Sequence, residues 1–193
     1  MSTLTLNLRP TVMLTDKQFA KLGQANPELR LERTITGELV IMPPTGGETG
    51  RANAEFVFQL SLWNHHKNGG IVFDSSTGFR LSSGAIRSPD TAWISQARWQ
   101  ALTPVQRRGF IPLCPDFLME LRSPTDDWEE LQAKMHEYLA NGLRLGWLID
   151  PETGQVEIYR SGQPAELQRN PETLSGESVL PGFVLDLKEI LAK

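Results

Sequence analysis

Two acidic residues interrupt apolar stretches of the sequence, and each stretch predicts a buried β-strand. Glu120 is the charged residue within Phe117–Leu121, and Asp90 lies within Ile86–Ser95. A carboxylate that is buried without a partner costs folding free energy, so each acid needs a cation, a metal ion or a set of hydrogen-bond donors. The two acids are therefore the first candidates for chemistry in this chain.

A metal ion would satisfy both acids if their strands are neighbours. Two buried carboxylates side by side repel, and one of them takes up a proton unless a cation intervenes. Magnesium prefers hard oxygen ligands, needs only one or two carboxylates and keeps several waters. Because such an ion polarises a phosphodiester and lowers the pKa of a bound water, Asp90 and Glu120 favour metal-assisted phosphodiester hydrolysis.

Basic side chains near these acids offer a second interpretation. Arg122 follows Glu120 by two residues and is predicted to project from the same strand face. Lys134 lies on the edge of an apolar helical stripe, from which its amine can extend over the end of the sheet. Either cation would stabilise developing charge on a phosphate. The plainer alternative is that Asp90 and Glu120 only form salt bridges with Arg122, Arg87 or Lys134.

The elements that must position these residues are best marked in residues 115–150, which predict a strand, a turn, an amphipathic helix and a second strand. Pro124 closes the first strand, and Ser123 or Thr125 is the predicted helix cap. The other predicted elements are a frayed segment over 1–12, a helix over 14–25 capped by Thr15, a hairpin over 30–42 turning at Thr36-Gly37, a Gly- and Pro-rich loop over 43–50, a helix over 51–68 capped by Glu48 or Thr49, strands over 71–74, 78–81 and 86–95, a hairpin over 143–159 and a closing helix.

Composition predicts an ordinary soluble chain. A length of 193 residues fits one domain, and a net charge of −4 gives no global attraction to nucleic acid. The single cysteine, Cys114, excludes an intramolecular disulfide within this sequence. No apolar run reaches membrane-spanning length and no signal peptide pattern is present, so we expect a cytoplasmic protein without a membrane partner. Trp63 and Trp99, if exposed, would mark a contact patch, and on that basis we expect a homodimer.

The motifs around the two acids resemble the Uma-type restriction endonuclease family. The resemblance covers roughly Leu14 to Leu191 and lies in Ser88-Pro-Asp90, in Pro115-Asp-Phe-Leu-Met-Glu120-Leu-Arg-Ser123-Pro124, in Lys134…Tyr138…Gly142…Trp147-Leu-Ile-Asp150-Pro151, in the Gly37-Glu38 hairpin, in the PPTGGETG loop and in Leu180-Pro-Gly-Phe183.

That resemblance implies an α/β (α+β) fold with a PD-(D/E)XK nuclease-like core. The expected architecture is one domain over 1–193 with its core at about 30–160, a mixed central sheet flanked by helices, and an N-terminal helix and hairpin. Asp90 and Glu120 match the two acids of the family. A lysine is usual where Arg122 stands, and in similar chains it moves to the following helix, which implies Lys134 here. A further acid often completes such sites, with Glu48 and Glu55 as equal candidates and Glu38 as a weaker one.

The sequence therefore predicts a magnesium-dependent endonuclease that hydrolyses DNA. Asp90, Glu120 and the carbonyl of Leu121 are expected to hold Mg²⁺, for which Mn²⁺ would substitute. Lys134 positions water or steadies the phosphate, and Arg122 assists. The alternative, supported by the Arg122 departure and the acidic net charge, is a catalytically silent nuclease-fold protein that serves as a nucleic-acid-binding or assembly module.

Overall fold

A computed structural model describes residues 3–191 as two main β-sheets with helices packed against them. The elements in chain order are β1 Leu4–Leu6, α1 Asp16–Ala25, β2 Arg30–Arg33, β3 Leu39–Met42, α2 Gly47–Lys67, β4 Gly70–Asp74, β5 Phe79–Arg80, β6 Ile86–Arg87, β7 Thr91–Ser95, α3 Gln96–Ala101, α4 Pro104–Arg108, β8 Phe117–Leu121, α5 Trp128–Ala140, β9 Leu145–Asp150, β10 Gln155–Arg160, β11 Glu166–Arg169, β12 Thr173–Ser175, β13 Val184–Asp186 and α6 Lys188–Leu191.

The larger sheet has six strands in the order β11-β10-β9-β8-β7-β4. Strands β8 and β9 are parallel and are joined by α5, whereas every other neighbouring pair is antiparallel. Both of these strands are buried along their whole length, which matches their nearly continuous apolar sequences. The expected mixed central sheet flanked by helices is therefore confirmed.

The two faces of β8 bury different side chains against different helices. Phe117 packs in one core layer with Phe56 of α2, while Leu118 packs in the other with Met135 of α5. Because side chains alternate along a strand, Glu120 lies on the same face as Leu118 and points toward α5. This alternation explains why a residue of α5 reaches the carboxylate of Glu120.

The smaller sheet has five strands in the order β1-β3-β2-β6-β5 and contains the predicted hairpin. Gly37 lies in its turn with a φ of 88°, a conformation that side chains with a Cβ rarely adopt. Thr15 caps α1 through a capping box with Gln18, as the sequence predicts. The segment predicted as frayed differs in part, because β1 pairs with β3, whereas Met1 and Ser2 lie outside the described residues.

Three predicted boundaries are wrong. The strand expected over 86–95 is two strands in different sheets, β6 and β7, because Pro89 lacks the N–H that a continuous ladder requires. Helix α2 starts at Gly47 rather than Arg51, so Glu48 lies in its first turn instead of capping it. Helix α5 is capped by Asp127, whose side chain accepts from the Glu130 N–H, and not by Ser123 or Thr125.

The two tryptophans expected to mark a dimer patch are packed within their own chain. Trp63 contacts the rings of Trp93 and Phe183, and Trp99 contacts Phe73 and the guanidinium of Arg107. Both are half-buried, so they give no evidence for an exposed patch. Within residues 3–191, no helix combines the length and the apolar character that crossing a bilayer requires.

Candidate active site

Asp90 and Glu120 meet at the ends of neighbouring strands. Thr91 of β7 pairs with Met119 of β8 in antiparallel register, and the next position in that register places Asp90 opposite Glu120. One carboxylate oxygen of Asp90 accepts from the Leu121 N–H at 2.9 Å, and the other lies 3.4 Å from the Asn53 side-chain nitrogen. The expectation that the two acids lie on adjacent strands is confirmed.

Glu120 is buried and is held by two side chains of α5. Its Oε1 lies 2.8 Å from Lys134 Nζ and accepts a hydrogen bond from the Tyr138 hydroxyl at 2.9 Å. Lys134 and Tyr138 are four residues apart on the helix, so both project from the same face. The structure therefore brings Asp90, Glu120 and Lys134 together.

Glu32 of β2 is a third acid of the site, and sequence reasoning missed it. Its carboxylate contacts Lys134 Nζ at 3.1 Å, Arg87 Nη1 at 3.0 Å and the Ser88 N–H at 2.8 Å. Only 2% of the residue is exposed. The alternation of Arg30, Leu31 and Glu32 is typical of a strand with a solvent-facing polar side, so the local pattern carried no sign of burial.

The charges of this cluster do not balance. Arg87 also pairs with Glu137. The ion-pair network and the neighbouring Asp90 therefore contain two cations and four carboxylates, which are Lys134, Arg87, Glu32, Glu120, Glu137 and Asp90. With every group ionised, the cluster carries a net charge of −2. A divalent cation beside Asp90 and Glu120 would neutralise it.

Burial and neighbouring charges shift the pKa values of the three acids in different directions. Burial, followed by the negative charges of Asp90 and Glu32, raises the pKa of Glu120 to about 7, although Lys134 opposes the rise. Burial also raises the pKa of Asp90 despite its bond from Leu121. Burial opposes ionisation of Glu32 too, but Lys134 and Arg87 outweigh it and lower its pKa. Glu32 is thus the anion that holds Lys134, and Glu120 is the acid that lacks full compensation.

Arg122 lies elsewhere, although it was predicted to face the same site. Its Nη1 contacts Asp150 at 2.9 Å and Glu152 at 3.5 Å, and its Nε donates to the Asp126 carbonyl. The strand ends at Leu121, so the alternation that would align Arg122 with Glu120 no longer applies. The Arg122 side chain instead ties the start of the α5 connection to the end of β9.

The three acids considered as completing the site have contacts of their own. Glu48 is exposed and pairs with Arg51 at 3.3 Å. Glu55 accepts a hydrogen bond from Gln59 on the next turn of α2. Glu38 accepts hydrogen bonds from Thr34 and Thr36 in the hairpin turn. Glu32, rather than any of these three acids, contacts Lys134.

The donor set suits a magnesium ion better than a metal that needs a protein cage. Among residues 3–191, no group of three or more His, Cys, Asp or Glu side chains forms a metal cluster. Magnesium requires only one or two carboxylates and completes its shell with water and substrate phosphate. Asp90 and Glu120 are two such carboxylates at the ends of neighbouring strands.

A cleft of about 420 Å³ opens beside Asp90. One wall is helix α2 and the other is the end of β4 with the following turn. Its lining residues are Asn53, Ala54, Val57, Phe58, Ser61, Asp74, Ser75 and Asp90. Asp90 therefore lies both beside the charge cluster and on the lining of an open cleft, which gives a ligand access to Asp90.

A mixed sheet with two acids on adjacent strands and a lysine on the crossover helix defines a nuclease-like fold of the restriction-endonuclease type. The family model described as "Putative restriction endonuclease", Uma2, matches residues 16–188, and the chain belongs to that family. The fold is similar to the crystal structure of a "putative nuclease belonging to DUF820" from Anabaena variabilis, with a TM-score of 0.76 and 22% identity over 92% of this chain and 97% of that one. No curated protein matches this chain.

Proposed function

We propose that this protein is a magnesium-dependent endonuclease that hydrolyses DNA phosphodiester bonds. Membership of a family described as restriction endonucleases supports a nuclease. The observation that carries the finer proposal is that Asp90 and Glu120 lie side by side, in a cluster with more carboxylates than cations, next to an open cleft.

Asp90, Glu120 and the carbonyl of Leu121 would hold Mg²⁺, with Mn²⁺ as a substitute. When bound, the ion supplies polarisation of the phosphate and a more acidic water. The two acids would be ionised in that complex, because metal ligation requires the deprotonated carboxylate.

Lys134 acts in this proposal as a fixed cation. Although burial opposes its charge, Glu120 and Glu32 raise the pKa of its amine, so the amine keeps its proton at neutral pH. A protonated amine cannot serve as a general base, but it can stabilise charge on the phosphate or orient the attacking water. Glu32 is a positioning residue in this proposal, since its carboxylate, in addition to that of Glu120, contacts Lys134 Nζ.

Arg122 has no direct part in this scheme, because its guanidinium is committed to Asp150. That assignment makes Arg122 the matched control for the catalytic residues. It is a cation close in sequence to Glu120 whose replacement by lysine keeps the charge and leaves the cluster intact.

The alternative function, a catalytically silent binding or assembly module, is favoured by one observation. Glu120 Oε1 already has Lys134 and Tyr138 as partners, so the protein cluster gives this oxygen an ion pair and a hydrogen bond without a metal. A ligand that binds only the folded state raises its stability by mass action. Magnesium that leaves the melting temperature of the wild type unchanged at millimolar concentration would favour the silent module.

The direct test is cleavage of plasmid DNA by purified protein with Mg²⁺. We expect Asp90→Ala, Glu120→Gln and Lys134→Met to reduce the rate at least about 100-fold, as removal of one charge-stabilising group does in other enzymes. Arg122→Lys should stay within about threefold of the wild type. Circular dichroism verifies that each variant is folded. An Asp90→Ala protein that cuts as fast as the wild type contradicts the proposed site.

A homodimer and a cytoplasmic location are further parts of the proposal. The dimer has lost the support expected from Trp63 and Trp99, and its test is light scattering, where a mass near 21.6 kDa shows a single chain. The location is tested by cell fractionation, and recovery of the protein in the membrane fraction contradicts it.

A further inference from the structure

Phe58 is an exposed aromatic side chain at the cleft beside Asp90. It is 58% exposed, whereas Phe56 two residues earlier is fully buried in the core. Ala54 and Val57 continue the apolar wall of α2 on which Phe58 lies. Because its ring packs little within the described chain, Phe58 is available to contact a ligand in the cleft.

Polar groups surround this apolar wall. Asn53 and Ser61 lie on the same helix, and Asp74 and Ser75 lie across the cleft. The side-chain oxygen of Asn53 is buried and accepts no hydrogen bond from residues 3–191. An apolar wall with a few polar groups at its edge is the usual make-up of a site for a planar, hydrogen-bonding ligand.

One cation, Arg30, lies next to the cleft without lining it. Arg30 donates from Nη2 to the Ser75 carbonyl at 3.0 Å, and its Nε is buried without a partner among the described residues. Its charge also acts on Asp90, whose pKa it lowers against the larger effect of burial. The cleft is therefore lined by an aromatic ring and a candidate metal ligand, and the Arg30 guanidinium is bonded to Ser75 of its lining.

We propose that this cleft binds an unpaired nucleobase of DNA by stacking on Phe58. The inference rests on the proposed nuclease function and names its substrate as single-stranded or locally opened DNA. A base within a duplex is stacked between its neighbours and cannot offer its face to Phe58, whereas an unpaired base can.

The occupant follows from the shape and position of the cleft. It is continuous with the candidate metal ligands through Asp90, so its ligand is connected to the group that reacts there. A second copy of this chain is the competing occupant, since exposed Phe58 and Leu62 lie one turn apart on α2. Leu62, however, does not line the cleft, which makes it the matched control for Phe58.

The test measures binding rather than cleavage. A fluorescent 12-nucleotide single strand and the corresponding duplex are titrated with wild type, Phe58→Ala, Phe58→Trp and Leu62→Ala in EDTA, which prevents metal-dependent hydrolysis. Stacking on an aromatic side chain contributes about 1–3 kcal/mol per base, so Phe58→Ala should weaken single-strand binding roughly 5- to 150-fold. Phe58→Trp should retain it, and Leu62→Ala should bind as the wild type does.

Four results would overturn the proposal. The first two are a wild type that does not bind the single strand and a folded Phe58→Ala variant that binds it as tightly as the wild type. The third is a Phe58→Ala variant that loses equal affinity for the single strand and the duplex. The fourth is a lower light-scattering mass for Phe58→Ala than for the wild type, which would assign Phe58 to a dimer interface. The proposed function fails separately. Plasmid cleavage with no effect of Phe58→Ala on binding leaves the nuclease standing without this subsite. Phe58-dependent binding by a protein that never cleaves leaves the subsite standing without the nuclease.

Discussion

Glu120 should make the metal-free protein less stable as the pH rises from 4.5 to 7. Its pKa in the folded protein is about 7, against an ordinary value of 4.5, and only 4% of the residue is exposed. At about 1.4 kcal/mol per pH unit, the native state disfavours ionised Glu120 by roughly 3 kcal/mol. Glu120→Gln removes the ionisation while keeping a similar shape.

The sign follows from proton uptake. Below pH 4.5, Glu120 is protonated in both states and the penalty is absent. Between pH 4.5 and 7, the unfolded chain has lost the proton that the native state still holds, so the free energy of unfolding falls as the pH rises. Above pH 7 the penalty is complete and constant. Glu32 has a lowered pKa, so its contribution is lost only as the pH falls below its ordinary value of 4.5, outside this window.

The assay is urea unfolding in EDTA at half-unit steps from pH 4.5 to 8.5. The difference between wild type and Glu120→Gln reports the ionisation of Glu120 together with its effect on the charged neighbours, because the titrating groups elsewhere are common to both proteins. We expect the wild type to lose stability relative to Glu120→Gln by on the order of 2–3 kcal/mol across the window. Saturating Mg²⁺ should stabilise the wild type more at pH 8 than at pH 5, since the protonated acid cannot ligate. Parallel pH profiles for the two proteins would refute the reasoning.

Two further substitutions test the surroundings of the site. Tyr138→Phe removes a hydrogen bond to buried Glu120 and should lower the free energy of unfolding in urea at pH 8 by about 1.5–3 kcal/mol. Tyr159→Phe, which loses a similar bond to Glu157, is the control and should leave the response to Mg²⁺ unchanged. Identical Mg²⁺ responses of the two variants would contradict the role of Tyr138. Gly70→Ala would place its Cβ 2.1 Å from the Ile94 carbonyl oxygen and 2.6 Å from the Trp93 ring, so it should lower the free energy of unfolding by about 3 kcal/mol or more. Gly23→Ala, which has open space around it, is the control and should not lower it. Equal melting temperatures of Gly70→Ala and wild type would show that β4 shifts freely.

The sequence was informative wherever burial left a local trace. A charge inside an apolar strand is conspicuous, so Asp90 and Glu120 could be found from their neighbours alone. Lys134 could be placed because the apolar stripe of α5 fixes the rotation of the helix. Each of these inferences uses only contacts within a strand or a helix turn.

Glu32 could not be found in this way, because its burial depends on how two sheets meet. Strand β2 belongs to the smaller sheet, and Glu32 reaches Lys134 of the helix that covers the larger one. Nothing within the sequence around Glu32 specifies that approach. The same reason explains why the position of the Arg122 side chain was mispredicted. Its guanidinium binds Asp150, which lies 28 positions later in the sequence, instead of facing Glu120. Alternation within one strand cannot rank such distant partners.

The ion pairs that connect the two sheets through Lys134 also limit which substitutions the protein tolerates. Glu32 and Arg87 come from the smaller sheet, while Glu120 comes from the larger one. A substitution at this junction would therefore affect both the proposed catalytic groups and the packing of the two sheets against each other. Directed evolution should accordingly find tolerated changes of specificity along the α2 wall of the cleft, where side chains such as Phe58 carry little of the packing, before it finds any within the cluster itself.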